Sequence, residues 1–232
     1  MLRGRFSAIV AIAAVLCTAQ PALPQDNPIT APAIDAPSEC ELHVWPGRSF
    51  HAVYYGWTHG GTINGAAKGR KGYPALPDQP LATDVQRTEL AKLDLPKVLG
   101  LSGYRTVLHD EALTAAAIRT TAGRQVAESA PCYAELMVDD IVFQNHVING
   151  KWLNVILRFR QFDGTGPVPI RSYGTYVLQR TALFPPPDAD TDPAPALEEL
   201  RSAFARSVTG FGDQYAAFLK RNGKKKGASI TL

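Results

Sequence analysis

The fold is decided by residues 133–162, whose sequence is YAELMVDDIVFQNHVINGKWLNVILRFRQF. The first half, residues 133–148, is rich in β-branched, aromatic and other apolar side chains, which is typical of a strand. Asn149-Gly150 follows, and this dipeptide is a strong signal for a two-residue hairpin turn. The stretch therefore predicts a long antiparallel hairpin. Its return strand, Trp152 to Phe162, places alternate apolar residues on one face: Leu153, Val155, Leu157 and Phe159.

The predicted turn also fixes a register for the hairpin. If Asn149 and Gly150 form the turn, Asp139 lies opposite Arg160. Asp139 and Asp140 are neighbours along one strand and point to opposite faces, so they do not form a carboxylate pair that shares a proton. We therefore interpret Asp139 as half of a cross-strand ion pair with Arg160, which contributes about 0.2–1 kcal/mol.

Strand and helix signals extend outward from this hairpin. Ser172 to Phe184 reads as a third strand, and apolar residues recur at helical spacing from Leu197 to Phe218. The order of elements predicts the α+β class: a single mixed sheet that ends in a three-stranded antiparallel meander, with helices packed on one face. The other predicted strands are Glu41–Trp45, Phe50–Trp57 and Tyr104–Leu108, and the other predicted helices run from Val85 toward Leu93 and from Asp110 to near Gly123.

The first residues have the pattern of a secretory signal. Arg3 and Arg5 precede an apolar run over residues 6–16, and Ala19 suits cleavage by signal peptidase. The run is shorter than the roughly 20 residues that a membrane-spanning helix needs, and no later segment of the sequence is long and apolar enough. We expect a periplasmic or secreted protein without a transmembrane segment in the mature chain. A lipid anchor at Cys17 is the alternative, although Leu16 is larger than the residue that normally precedes a lipidated cysteine.

Composition divides the rest of the chain. Residues 1–19 are the predicted signal peptide, 20–38 a Pro/Ala-rich spacer, 39–222 a single α/β domain, and 223–232 a basic flexible tail. The net charge of +3 falls largely in the signal and the tail. The folded body is therefore close to neutral, which argues against nucleic acid as a partner.

Cleavage would leave two cysteines, Cys40 and Cys132, each just before a predicted strand. An even number of cysteines in an oxidising compartment predicts a disulfide. The long loop that it closes would stabilise the fold by about 4 kcal/mol in the chain-entropy model. The alternatives are two buried free thiols or, less simply, a metal site, since no other His or Cys stands at ligand spacing from either.

A glycine-rich segment, residues 57–72, is the candidate ligand site. Exposed backbone amides and cations bind anions, and this segment supplies both. However, the order of residues in a phosphate-binding loop is absent, so the simpler interpretation is a mobile loop. If the protein binds a ligand, the candidate residues are Trp57, His59, Lys68 and Arg70.

No motif predicts catalysis. The five histidines include no pair at the helical spacing of a zinc protease, and there is no Cys-x-x-Cys and no Gly-x-Ser-x-Gly. We therefore predict no catalytic residue, no metal ligand set and no cofactor. A metal site assembled from distant histidines stays open, with dispersed histidines as the simpler interpretation.

Residues 103–113, GYRTVLHDEAL, are followed by a strand and a hairpin. This order resembles the small α/β domains of bacterial envelope proteins related to the amino-terminal domain of TolB and to curli-export-type lipoproteins, over roughly Gly103 to Gln161. The resemblance implies an α/β domain of the cell envelope. Our leading hypothesis is a non-enzymatic domain that binds an envelope protein or component. The alternatives are an envelope hydrolase around His51 and His59, or a binder of anions or small ligands at residues 57–72.

Overall fold

The computed structural model describes residues 40–48, 50–55, 63–64, 76, 79–127, 129–164, 166–188 and 190–227. The predicted signal peptide, the spacer and most of the glycine-rich segment lie outside these residues, so the predictions made for them stay predictions. In the described part of the chain, none of the helices combines the length and the apolar character that crossing a membrane requires.

The described residues form seven strands and four helices. They confirm the predicted α+β class. The strands are β1 (Cys40–Trp45), β2 (Phe50–Tyr55), β3 (Ile63–Asn64), β4 (Tyr104–Leu108), β5 (Tyr133–His146), β6 (Gly150–Phe162) and β7 (Arg171–Thr181). The helices are α1 (Thr83–Ala91), α2 (Leu95–Val98), α3 (Ala115–Thr120) and α4 (Ala194–Gly227). Helix α4 thus continues past residue 222, where composition places the start of the tail.

The long strand β5 organises the sheet. On one side it pairs with β6 over its whole length, and β6 pairs with β7, which gives the predicted antiparallel meander. On the other side β1 and β2 lie end to end, both parallel to β5. The sheet widens beyond them through β4, parallel to β1, and β3, antiparallel to β2. The result is one mixed sheet, as the sequence predicts.

A glutamine closes the gap between β1 and β2. The backbone N–H of Gly47 donates to the side-chain oxygen of Gln86 at 2.7 Å, and the Gln86 amide donates to the Gly47 carbonyl at 3.1 Å. Gln86 is fully buried. Buried peptide groups without partners are costly, so this side chain replaces the strand neighbour that the chain lacks at the break.

The main core lies between one face of the sheet and helices α1, α2 and α4. Gly212 of α4 contacts α2 directly, because a Cβ at this position would overlap the carbonyl group of Val98. This close approach explains a glycine in the middle of an apolar helix pattern. The largest fully buried side chains of this core are Phe143, Phe159, Phe184, Phe204, Phe211 and Tyr215.

The short helix α3 packs on the opposite face, so the prediction that the helices pack on one face is wrong for this helix. Successive strand residues point to opposite sides, so Leu42 and Val44 of β1 enter the main core while Trp45 faces away from it. Trp45 packs with Met137 of β5 and Ile118 of α3 in a second, smaller core. Helix α3 begins after Thr114, whose hydroxyl accepts from the Ala117 N–H at 3.0 Å. The expected start at Asp110 is therefore wrong, because Thr114 provides the cap.

The predicted hairpin register is also wrong. Gly150, with φ +82°, begins β6 opposite His146, so residues 147–149 form the turn instead of Asn149 and Gly150 alone. A β-bulge between Val138 and Asp140 then shifts the register once more. Arg160 consequently lies opposite Glu135 and not opposite Asp139.

Asp139 lies in the bulge, and its carboxylate is bound by two arginines. It accepts from Arg158 Nε at 2.7 Å and from the Arg119 guanidinium at 3.3 Å. The interpretation of Asp139 as part of an ion pair is therefore correct, with different partners from the one expected. Its neighbour Asp140 lies 3.8 Å from His51.

Candidate functional site

The predicted ligand residues Trp57, His59, Lys68 and Arg70 all lie outside the described part of the chain. Within the glycine-rich segment the structure describes Ile63 and Asn64, which form β3, and the last described residue before the segment is Tyr55, at the end of β2. Its ring stacks on His146 of β5, with 4.1 Å between ring centroids and 9° between planes. The glycine-rich segment therefore starts from an aromatic pair that is anchored in the sheet.

The predicted disulfide is present. Cys40 and Cys132 are bonded, with their Cα atoms 4.8 Å apart. They stand at the starts of β1 and β5, where Glu41 and Tyr133 are paired in the parallel register. The bond therefore joins two strands that are already neighbours, as expected from the position of each cysteine just before a strand.

Beside the disulfide, on the face away from α4, lies a group that we call the histidine cluster: Glu41, His43, Trp45 and His109. His43 Nε2 lies 3.1 Å from a Glu41 carboxylate oxygen, and His43 Nδ1 lies 2.8 Å from His109 Nε2. The His109 ring is stacked on Trp45, with 4.1 Å between centroids and 4° between planes. These contacts join β1 to the residue that follows β4.

The surroundings shift the pKa values of two members of this cluster. The pKa of Glu41 is lowered, chiefly by the Ala130 backbone N–H, then by the hydrogen bond from His43, with Arg105 adding to the effect. The pKa of His109 is lowered by burial and then by His43. An ionised Glu41 accepts a hydrogen bond from His43 Nε2–H, which leaves His43 Nδ1 to accept a hydrogen bond from His109 Nε2–H. This tautomer leaves Nδ1 of His109 as an acceptor.

A carboxylate–imidazole–imidazole series is able to orient a general base. Catalysis by such a base also needs a nucleophile or a water that it can reach. In the described part of the chain, neither imidazole is hydrogen bonded to a hydroxyl or a thiol. The contacts that the histidine cluster forms connect β1 to the end of β4.

A second set of buried charges lies between β5 and β6 on the same face. Glu135 is fully buried and accepts from Arg160 Nε at 2.7 Å, from the Tyr133 hydroxyl at 2.8 Å and from the Gln125 N–H at 2.6 Å. Burial, followed by the charge of Glu135, raises the pKa of Tyr133. Every oxygen of this carboxylate therefore has a partner from the chain itself.

The outer strand of the meander differs from this region. β7 pairs with β6 in an uninterrupted register from Lys151↔Thr181 to Gln161↔Arg171, and no other described strand pairs with it. Helix α4 covers one face of β7, where Tyr173 contacts Phe211. On the other face Tyr176 and Leu178 are 58% and 44% exposed. We call the free side of β7, with these exposed residues, the β7 edge.

The charges at the β7 edge are all of one sign. Arg171 and Arg180 stand near the two ends of the strand, and residues 172–179 between them are uncharged and include no proline. Arg206 of α4 reaches β7 by donating to Gln179 at 3.4 Å. The nearby carboxylate of Glu199 accepts the backbone N–H groups of residues 182–184, at 2.7–2.9 Å. The edge is therefore basic.

Neither region follows from a sequence motif. His43 and His109 are 66 residues apart and meet only because β1 and β4 pair. For the β7 edge the sequence does hold a signal, an eight-residue uncharged strand segment flanked by arginines. Such a segment does not reveal which side of the strand stays unpaired, since that depends on the topology of the whole sheet.

Comparison with known proteins gives no family. No family model matches the chain, and no curated protein matches it. Solved structures do match, with low TM-scores. A Xanthomonas campestris protein of family DUF330 has 12% identity and TM-score 0.37, covering 86% of this chain and 93% of that one. A homolog of a neuraminyllactose-binding hemagglutinin from Helicobacter pylori has 11% identity and TM-score 0.36, covering 86% and 96%.

A lipoprotein from Neisseria meningitidis has 10% identity and TM-score 0.33, covering 74% of this chain and 99% of that one. The three proteins are bacterial, and one is a lipoprotein. None of the three is a TolB or a curli-export protein, so the finer resemblance over residues 103–161 has no support from them. At these TM-scores the similarity assigns neither a family nor a function.

Proposed function

We propose that this protein is an exported, non-enzymatic domain that binds an envelope protein by pairing a strand of that partner with β7. The observation that carries the proposal is the long, regular β7 edge, whose free side pairs with none of the described strands. Natural proteins normally protect such edges with lysine, proline, bulges or short strands, because an exposed edge pairs with other chains. β7 has none of these devices over residues 172–179.

Strand addition suits the chemistry of this edge. The main chain of an edge strand supplies hydrogen bonds in a fixed pattern, and alternate side chains supply specificity. Each backbone hydrogen bond contributes about 0.5–1.5 kcal/mol net to the free energy of binding. Several of them together therefore give a useful affinity. Tyr176 and Leu178 then add apolar contact on the face away from α4.

Export supports the same proposal. The Cys40–Cys132 disulfide fits an oxidising compartment, and the pattern of residues 1–19 fits a secretory signal. We place the protein in the periplasm or outside the cell, with a lipid anchor at Cys17 as the alternative. In either case the partner is an envelope protein that presents an extended segment.

Site-specific crosslinking tests the proposal. A photoreactive amino acid at Leu178, on the exposed face of β7, should give a discrete adduct in the native envelope. The matched control is Ile148, which is 77% exposed in the β5–β6 turn. The variant Tyr176→Lys should abolish the adduct at position 178, because a lysine on an edge strand disfavours pairing. Equal adducts at both positions, or an adduct that survives Tyr176→Lys, would contradict the proposal.

A second proposal concerns the glycine-rich segment, supported by the Tyr55–His146 stack from which it starts. Trp57, His59, Lys68 and Arg70 would there bind an anion through cations and exposed amides. Calorimetric titration with inorganic phosphate tests it. Binding should be lost in Lys68→Gln/Arg70→Gln and kept in Arg201→Gln, and absence of binding by the unmodified protein would reject it.

A further inference from the structure

We infer that the segment that pairs with β7 carries acidic residues on both sides of an uncharged, β-prone centre. The inference rests on the proposed function and names the chemistry of its partner. It follows from three features of the β7 edge: the position of its cations, the use of nearby carboxylates elsewhere, and the shape of its central residues.

The positions of the cations set the length of the segment. Arg171 and Arg180 are both exposed and are separated by eight uncharged residues. At about 3.3 Å per residue, the two positions are roughly 30 Å apart along the strand. They also point to opposite faces of the sheet. In a strand paired with β7, the residue opposite each arginine points to the same face of the sheet as that arginine. One acidic residue at each end of the partner strand therefore meets one of the two arginines.

Two carboxylates on this side of the sheet are already bound. Asp139 is paired with Arg158 and Arg119, and Glu199 is bound to backbone N–H groups. Arg171 donates to Gln161 Oε1 at 3.3 Å and is hydrogen bonded to Tyr215, and both partners are uncharged. Within the described ranges, neither Arg171 nor Arg180 forms an ion pair. A partner that brings acidic residues therefore supplies charges that this edge lacks, and Arg206 beside Gln179 adds a third cation to the same site.

The same charges disfavour a second copy of this chain as the occupant. In an antiparallel pairing centred on Tyr176, Arg180 of one copy falls opposite Ser172 of the other, so the arginines of both copies meet no opposite charge. β7 contains no aspartate or glutamate that could balance these four arginines. The edge is therefore complementary to an acidic strand and not to itself.

The centre of the strand adds a preference in size. Gly174 is exposed on the same face as Tyr176, and a Cβ there would meet the Arg158 side chain at 3.5 Å. The glycine therefore leaves no side chain between Ser172 and Tyr176 on this face of the strand. An aromatic or β-branched residue of the partner, placed opposite Gly174, would cover the exposed backbone. The partner segment thus has a bulky residue in its uncharged centre.

Two peptides test the inference with the mature protein. Both have a centre of alternating threonine and valine; one has two glutamates at each end and the other has two lysines. By fluorescence anisotropy at low salt, the glutamate peptide should bind about tenfold more tightly, because two exposed pairs change from attraction to repulsion. The preference should disappear in Arg171→Gln/Arg180→Gln. It should persist in Arg201→Gln, a change on α4 away from β7.

The outcomes separate this inference from the proposed function. If both peptides crosslink to position 178 with equal affinity, strand addition holds and the acidic preference is wrong. If neither peptide crosslinks there, the proposed function itself fails. A concentration-dependent dimer in sedimentation that Tyr176→Lys dissociates would show that a second copy occupies the edge, which would also overturn the inference.

Discussion

The two ends of the sheet differ in whether their polar groups are paired within the chain. Around β1, β4 and the start of β5, the chain satisfies its own groups through a disulfide, the histidine cluster and the buried Glu135–Arg160 pair. At β7, one strand edge pairs with no other described strand, and the two terminal arginines form no ion pair with the described residues. One end is internally bonded, and the other is left available.

The difference teaches that stability and recognition are separate in this fold. Groups that are paired inside the chain contribute to the free energy of unfolding. Groups at the β7 edge contribute little to it, because they remain solvated whether or not the chain is folded. Substitutions at the two ends should therefore affect different measurements, and the following predictions test that separation, from the largest expected loss of stability to the smallest.

Removing the disulfide should have the largest effect. The double variant Cys40→Ser/Cys132→Ser should lower the free energy of unfolding by about 4 kcal/mol, because the unfolded chain regains the freedom of a long loop. Denaturant unfolding measures this loss. In the fraction that stays folded, crosslinking at position 178 should be unchanged. A loss below about 1 kcal/mol would show that the strands hold this end without the bond.

Two arginine substitutions compare the ends directly. Arg160→Met should cost about 3 kcal/mol, because Glu135 stays buried without its cation. Arg180→Met at the β7 edge should change stability by less than about 0.5 kcal/mol. Adding Glu135→Gln to Arg160→Met should recover much of the loss. Equal effects of the two single variants, measured by denaturant unfolding, would remove the distinction between the ends.

Lowering the pH should destabilise the end of the sheet that carries the histidine cluster. A histidine whose pKa is lower in the folded state binds more protons when unfolded, so His109 contributes stability above its unfolded pKa and loses it as the pH falls. The lowered pKa of Glu41 acts in the same direction at more acidic pH. The free energy of unfolding should therefore be lower at pH 5.5 than at pH 7.5. In His109→Phe this difference should be smaller, and an unchanged pH dependence would contradict the assignment.

The smallest loss of stability is expected at the edge itself. Tyr176→Lys should change the free energy of unfolding by less than about 0.5 kcal/mol, since the side chain is exposed. The same variant should nevertheless abolish strand binding. Thermal unfolding together with peptide binding checks both. A destabilised variant would show that Tyr176 belongs to the packing of the sheet and not to a free surface.

Sequence patterns predicted the meander and the disulfide because both depend on local signals. Residues 133–162 alternate as strands do, and each cysteine directly precedes a strand. The register failed because one extra residue at Asp139 and a longer turn before Gly150 leave little trace in composition. The histidine cluster and the β7 edge depend on which strands are neighbours. No pattern near His43 or His109 could therefore have located the cluster, and the uncharged segment around Tyr176 does not show which side of β7 stays unpaired.

The break between β1 and β2 has a consequence for insertions and deletions. Trp45 pairs with Met137, and Phe50 pairs with Ile141. Five residue steps from β1 to β2 therefore match four residue steps along β5, and the β-bulge in β5 keeps the core-facing residues on one face despite this odd difference. Deleting one residue from 46–49 would turn the exposed His51 into the core and Tyr54 out of it. Over evolutionary time, the length of this connection should stay constant, while the loop at 163–170 is free to vary.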